Sequence, residues 1–191
     1  MRELRQAIER MGSGEGDVVR VGSFLNHRVD TGLLFEMGGE IARHFRQDAP
    51  DLVMTVEASG IALAVAAAHA LGSLPVLFAK KAEASNQAGG QLSVPVSSFT
   101  HGNRYRMRCE RDCLPQGSRV LIVDDFLADG EAARGLMALC ELAGATVVGV
   151  AVAIEKGFQK GGRLLRQQGV KVLSLSVVRE IRDGKILLSD D

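Results

Sequence analysis

Short apolar segments alternate with segments of helical periodicity along most of the chain, and this alternation limits the fold more than any other feature. The apolar segments, which we predict to be strands, are residues 52–56, 75–79, 120–123, 146–154, 172–178 and 185–188. Apolar residues recur at helical spacing over residues 31–47, 60–71, 130–143 and 159–168. Because a strand–helix–strand order favours parallel pairing with right-handed crossovers, we predict an α/β fold with a mainly parallel central sheet flanked by helices.

Two adjacent carboxylates follow one of these predicted strands. Residues 120–123 lead directly into Asp124 and Asp125, then into a small-residue turn and the helical pattern that starts near residue 130. In open α/β sheets, ligands bind at the carboxyl ends of strands, and the free amides of a helix N-terminus favour an anion. The pattern therefore points to a ligand that carries both hydroxyls and a phosphate, as a sugar phosphate does. Paired acids after a strand are also common as helix caps or surface turns.

Composition and charge limit the kinds of partner. The 191 residues suffice for a single domain spanning 1–191, and 23 basic residues balance 23 acidic ones. This balance, with no Trp and one Tyr, gives no indication of nucleic-acid binding. No apolar segment is long enough to span a membrane. Three cysteines without a zinc-like spacing, and no apolar leader, indicate a reducing compartment, and we expect a cytoplasmic protein.

Two regions depart from the alternating pattern. Residues 80–116 form a long polar insertion with two β-like runs, which we interpret as a flexible hairpin arm beside the ligand site. Residues 1–30 precede the first predicted crossover, and we interpret them as a small hood that contains a glycine-rich turn at 12–16.

Five sequence blocks, taken in order, resemble the type I phosphoribosyltransferases of bacterial purine salvage. The blocks are residues 23–27 (Ser-Phe-Leu-Asn-His), 57–61 (Glu-Ala-Ser-Gly-Ile), 98–100 (Ser-Phe-Thr), 124–128 (Asp-Asp-Phe-Leu-Ala) and 154–159 (Ile-Glu-Lys-Gly-Phe-Gln). The resemblance implies an enzyme that transfers the 5-phosphoribosyl group of phosphoribosyl pyrophosphate (PRPP) to a 6-oxopurine, with xanthine the expected base. It also implies Mg²⁺, held mainly through ligand and water, and a homodimer. The region of Phe24 and Phe35, together with the arm, could supply the dimer contact.

The resemblance also implies a role for each block. The implied site residues are Asp124 and Asp125 for the ribose hydroxyls; Val19, Asn26 and Lys156 for the purine base; and Glu57, Ala58, Ser59, Gly60, Lys80, Lys81, Ala128, Asp129, Gly130, Glu131 and Ala132 for PRPP. Carboxylates accept hydrogen bonds only, which suits a pair of vicinal hydroxyls. The insertion at 80–116 would act as a lid that excludes water.

The predicted phosphate loop departs from the family pattern by carrying two acids. Asp129 and Glu131 stand where uncharged residues are usual, and a carboxylate 4–6 Å from a phosphate charge would cost about 3–4 kcal/mol before screening. We therefore expect weaker PRPP affinity than in relatives with a neutral loop, if these side chains face the ligand. Alternatively, Asp129 caps the following helix and Glu131 complements its positive end.

Two alternatives remain open from the sequence. The base could be guanine or hypoxanthine, because these purines differ from xanthine at a single ring position. The chain could also bind PRPP or a nucleotide as a sensor without turnover, which the acidic loop would favour. A DNA-binding module, which a transcriptional sensor needs, is not evident.

Overall fold

The computed structural model describes residues 1–82, 90–97 and 104–189. Within these ranges the helices are α1 (Arg2–Met11), α2 (Thr31–Phe45), α3 (Gly60–Ala70), α4 (Glu131–Ala143) and α5 (Gly161–Gln167). The strands are β1 (Ser13–Glu15), β2 (Val18–Arg20), β3 (Leu52–Val56), β4 (Val76–Ala82), β5 (Gln91–Ser97), β6 (Arg104–Glu110), β7 (Arg119–Leu127), β8 (Thr146–Lys156), β9 (Val172–Arg182) and β10 (Lys185–Leu188). Among these residues, every helix is too short or too polar to cross a lipid bilayer.

Eight of the described strands form one sheet in the order β10-β9-β8-β7-β3-β4-β6-β5. The five central strands pair in parallel, and the outer strands β10, β6 and β5 pair antiparallel. β3 is buried along its whole length and β8 from Gly149 to Glu155, as expected for parallel strands covered on both faces. The predicted α/β fold with a mainly parallel sheet is confirmed.

The central strands run further than their apolar segments predicted. The predicted strand at 120–123 continues as β7 to Leu127, so Asp124 and Asp125 lie inside a strand and not in the turn after it. Asp124 pairs with Val152 of β8, and Leu127 pairs with Glu155. The hydrogen bonds between paired strands join backbone groups. Pairing with a neighbouring strand can therefore extend a strand through polar residues as well as apolar ones.

The hydrophobic core lies on both sides of this sheet. On one side α1, α2 and α3 cover one cluster, and on the other α4 and the β5–β6 hairpin cover a second. Helices α2 and α3 approach closely, since a Cβ on Gly38 would lie 2.6 Å from the backbone carbon of Ala66. Burying both faces of a parallel sheet is the main stabilising contribution.

The N-terminal hood contains a strand where the sequence indicated only a turn. Residues 12–16 were predicted to be a glycine-rich turn, but β1 pairs with β2 from Ser13 opposite Arg20 to Glu15 opposite Val18. The turn itself is tighter, because Gly16 adopts a φ of 55° that suits glycine. The hood therefore presents a short hairpin to the carboxyl end of the main sheet.

The insertion at 80–116 contains the predicted hairpin. β5 pairs with β6 from Gln91 opposite Glu110 to Ser97 opposite Arg104, and β6 joins β4. The inner face packs on α4, where a Cβ on Gly135 would lie 2.8 Å from Val96 Cγ2 and 3.1 Å from Met107 Cε. The sequence block at 98–100 lies outside the described residues.

Candidate active site

Asp124 and Asp125 lie near the carboxyl end of β7, where successive side chains point to opposite faces of the sheet. The buried Asp125 accepts a hydrogen bond from Asn26 Nδ2 at 3.3 Å, which ties the hood to β7. Its own amide donates to Asp124 Oδ1 at 2.9 Å. The structure thus brings together three residues predicted for the ribose and the base.

The half-buried Asp124 is in an unfavourable place for a charge. Burial, followed by the neighbouring Asp125 carboxylate, raises the pKa of Asp124 well above its usual range, while Lys81 opposes the shift. A Cβ on Gly60 would lie 2.4 Å from Asp124 Oδ1 and 2.4 Å from Thr55 Oγ1. Glycine at the first residue of α3 therefore lets the helix end approach this carboxylate directly.

The turn between β3 and α3 leaves its middle residues exposed at the same edge. Ala58 and Ser59 are exposed, and the peptide bond between Glu57 and Ala58 is cis. Glu57 Oε1 accepts a hydrogen bond from the backbone N–H of Lys81 at 2.8 Å, which joins the turn to β4.

The two predicted lysines separate onto opposite faces of β4. Lys81 pairs with Met107, on the face that packs against α4, and its positive charge acts to lower the pKa of Asp124. Lys80 pairs with Arg108 and lines a different cavity of about 330 Å³ together with Phe78. Because strand side chains alternate, only Lys81 of the two lysines is brought to Asp124.

The predicted phosphate loop joins β7 to α4 and borders a cavity of about 170 Å³. The residue before α4 is Gly130, with a φ of 81° and no side-chain cap, so the prediction that Asp129 caps the helix is wrong. The loop rests on the first residue of α5: Gly161 N–H donates to the Ala128 carbonyl oxygen at 3.0 Å. The first-turn amides of α4 lack partners within that helix, and amides of this kind are available to an anion.

Each acid of this loop has a cation nearby. Glu131 forms an ion pair with Arg134, one helical turn further on. The charge of Asp129 opposes the lowering of the Lys156 pKa by burial. The Glu131 side chain is thus turned along α4, which reduces the repulsion that the sequence predicted.

Lys156 is the last residue of β8 and faces the hood. Its Nζ donates to the Asp17 carbonyl oxygen at 2.7 Å and lies 5.9 Å from the Phe126 ring centroid. Burial lowers the pKa of Lys156, while the Asp17 and Asp129 carboxylates oppose that shift. Asp17 is in the turn between β1 and β2, two residues before Val19, which is buried in the core. The hood hairpin therefore places its turn over the lysine.

Two features of the site were not predicted. Arg166 of α5 donates to both carboxylate oxygens of the buried Glu155, at 2.9 and 2.7 Å, and Ser174 also donates to Glu155. Although burial acts in the opposite direction, these hydrogen bonds lower the pKa of Glu155. The pair holds α5 against β8, beneath the phosphate loop.

Tyr105 of β6 is the second such feature, because it lines the phosphate-loop cavity with Asp124 and Glu131. No motif marked it in the sequence. In the part of the chain that the structure describes, there is no cluster of three or more His, Cys, Asp or Glu able to hold a metal.

Residues 31–176 match the phosphoribosyl transferase domain family. The chain belongs to this family. It is 46% identical over 182 residues to the xanthine phosphoribosyltransferase of Bifidobacterium longum subsp. infantis, covering 95% of this chain and 94% of that protein. It is 43% identical over 187 residues to the xanthine phosphoribosyltransferase of Clostridioides difficile, covering 97% and 98%. The resemblance seen in the sequence blocks is confirmed.

Solved structures agree on the fold of this phosphoribosyltransferase. An adenine phosphoribosyltransferase from Giardia lamblia, complexed with 9-deazaadenine, superposes with a TM-score of 0.78 at 19% identity, covering 93% of this chain and 98% of that one. The Trypanosoma brucei adenine phosphoribosyltransferase, with AMP, pyrophosphate and ribose-5-phosphate, also gives 0.78, at 20% identity over 94% and 81% of the two chains.

Proposed function

We propose that this phosphoribosyltransferase transfers the 5-phosphoribosyl group of PRPP to xanthine, forming xanthosine 5′-monophosphate and pyrophosphate in purine salvage. The observation that carries the proposal is the placement of Asp124 and Asp125 between the 57–60 turn and the N-terminal end of α4. The relatives named xanthine phosphoribosyltransferase, at 40–46% identity over nearly the whole chain, support the choice of base.

The sugar and its charged groups match the three parts of this edge. The carboxylates of Asp124 and Asp125 accept from the ribose hydroxyls, and their negative charge favours the positive charge that develops on the sugar as pyrophosphate departs. The first-turn amides of α4 bind the 5′-phosphate. Ala58 and Ser59, the exposed residues of the 57–60 turn, and Lys81 face the pyrophosphate. Binding PRPP and the base next to each other in the reactive orientation supplies much of the rate enhancement, and no covalent intermediate with the enzyme is needed.

Mg²⁺ fits the donor set at this edge. Magnesium is usually held by one or two carboxylates together with substrate phosphates and water, and Asp124 and Asp125 lie at this edge near Glu57. Such an ion would neutralise the leaving pyrophosphate. We propose that the protein holds it through PRPP and water, with Asp124 and Asp125 accepting from the water molecules.

For the base, we propose that Lys156 donates to a purine oxo group and that Asn26 lines the opposite side with Val19. The Asp17 carbonyl now accepts the hydrogen bond from Lys156, and a bound base would take over that donor. The contact between Asn26 and Asp125 supports a base site directly beside the ribose site. Guanine or hypoxanthine as the base is the alternative at the same site.

A purine panel tests the proposal. The protein is mixed with Mg²⁺, PRPP and xanthine, guanine, hypoxanthine or adenine, and nucleotide formation is followed. We expect kcat/KM to be highest for xanthine. Higher turnover of another purine would overturn the choice of base, and PRPP binding without product from any base would instead support a sensor.

The ion pair at the phosphate loop gives a separate prediction. Replacing Arg134 with alanine leaves the Glu131 carboxylate unpaired beside the 5′-phosphate, so KM for PRPP should rise about 5- to 10-fold. Adding Glu131→Gln to that variant should restore KM, because the unpaired charge is then gone. If the second substitution fails to restore KM, the effect of Arg134 does not come from pairing with Glu131.

The Asp129→Asn, Glu131→Gln double variant should bind PRPP more tightly than the wild type.

We also propose a homodimer. Phe35 of α2 and Val65 of α3 are 55% and 50% exposed, and the Phe35 ring contacts His69 on the same side of α3. Phe24 is buried, so it is not available for the contact predicted from the sequence. Sedimentation equilibrium checks the proposal, and a monomer at micromolar concentration would contradict it.

A further inference from the structure

Tyr105 is the only tyrosine of the chain, and no role in the proposed reaction was assigned to it. It is the second residue of β6 and pairs with Val96 of β5. Side chains alternate along a strand, so Tyr105 shares its face with Met107, which packs near Gly135 of α4. This places the half-buried ring over the start of α4, where it lines the cavity formed with Asp124 and the 128–132 loop.

The surroundings of Tyr105 define the state of its hydroxyl. Burial, followed by the negative charges of Asp124 and Glu131, raises the pKa of Tyr105 above its usual value of 10.0, so the phenol stays protonated at neutral pH. Lys81 Nζ lies 5.8 Å from the ring centroid, within the range of a cation–π contact. No residue in the described part of the chain takes the hydroxyl as a hydrogen-bond partner.

We propose that Tyr105 is a substrate-binding residue whose hydroxyl donates a hydrogen bond to the 5′-phosphate held by the 128–132 loop. This inference rests on the proposed function. Although the ion pair with Arg134 reduces the repulsion from Glu131, the loop still carries two carboxylates near a phosphate dianion. A neutral O–H donor compensates for the remaining repulsion without adding a charge to desolvate. Because β6 belongs to the hairpin, the contact also couples the hairpin to occupancy of the sugar site.

Kinetics of two variants separate a hydrogen bond from ring packing. Tyr105→Phe keeps the ring beneath Lys81 and removes only the hydroxyl, whereas Tyr105→Leu removes both. We expect Tyr105→Phe to raise KM for PRPP about 10-fold, the usual effect of losing a hydrogen bond to a charged group, with kcat and KM for xanthine changed less than about 2-fold. A Phe variant with wild-type KM for PRPP, whatever the Leu variant does, would overturn the inference.

The composition of the chain allows a direct binding measurement. With one Tyr and no Trp, the intrinsic fluorescence of the wild type reports residue 105. Titration with ribose 5-phosphate should change this emission to saturation. An emission unaffected by ribose 5-phosphate, in a protein that turns over xanthine, overturns this inference and leaves the proposed function standing. A protein without turnover whose emission still responds supports the contact and contradicts the enzyme.

Discussion

Replacing Asp124 with asparagine is expected to remove most phosphoribosyl transfer and, at the same time, to stabilise the folded protein. The variant loses the charge that favours a cationic sugar, so kcat/KM should fall by about 10²- to 10³-fold, as when a group that stabilises transition-state charge is removed. Asparagine keeps the oxygen that accepts from the Asp125 amide, at 2.9 Å in the wild type, so the local geometry is retained.

The stability gain follows from the position of the carboxylate. Burial and Asp125 raise the pKa of Asp124, so its ionised form is disfavoured in the folded state. Because the pKa is higher in the folded state, folding favours the protonated carboxyl. The stability associated with Asp124 is therefore fully present below its unfolded pKa, about 3.9, and is lost as the pH rises through its folded pKa. Removing the charge should therefore stabilise the protein at neutral pH, and its Tm should rise.

Thermal unfolding at several pH values checks this expectation. The difference in Tm between Asp124→Asn and the wild type should be near zero at about pH 4 and should grow toward neutrality. Asp112→Asn is the matched control, since Asp112 is exposed and its loss makes the same change in net charge. An Asp124→Asn variant less stable than the wild type at pH 7 would show that the carboxylate has an unrecognised partner.

Replacing Gly161 with alanine should damage PRPP binding although the residue belongs to no predicted motif. A Cβ at this position would lie 2.2 Å from the Ala128 carbonyl oxygen and 2.5 Å from the Gly130 nitrogen. Because both neighbours are backbone atoms of the phosphate loop, the loop itself must move. Misplacement by about 1 Å commonly costs about 100-fold in rate, so we expect kcat/KM for PRPP to fall by roughly that factor.

Gly39→Ala is the matched control for that substitution. Gly39 lies in α2, and a Cβ there would meet no atom within 4 Å. Alanine is the better helix former, so this variant should be more stable by about 0.5–1 kcal/mol and fully active. Steady-state kinetics with PRPP varied, together with thermal unfolding, compare the two variants. Wild-type kinetics for Gly161→Ala would mean that the loop position is not critical for binding.

The sequence predicted the parts of the fold that depend on local patterns. Residues 52–56 and 185–188 were predicted as strands with the bounds that the structure shows, because runs of apolar residues between turn signals are enough to identify strands. Strand ends near the site were predicted too short, as β7 and β8 show. At these ends, pairing with a neighbouring strand extends the strand beyond its apolar residues. The sequence of one segment does not show which other strand will pair with it.

The same distinction applies to the site. The Asp124–Asp125 pair and the small-residue turns were recognisable because each lies within one short segment. Three observations were not available locally: Asn26 reaching Asp125, Lys80 facing away from the acids, and Tyr105 lining the cavity. Asn26 and Asp125 are 99 positions apart, so their contact depends on how the hood folds onto the sheet.

By itself the sequence determined the alternation of strands and helices, the family, and the acidic pair after an apolar run. Each of these depends on residues that are close along the chain. Only the tertiary structure decided which groups surround Asp124, which cation each acid of the phosphate loop interacts with, and why Gly60 and Gly161 must lack a side chain. Those properties depend on distances between segments, which are set when both faces of the sheet are buried.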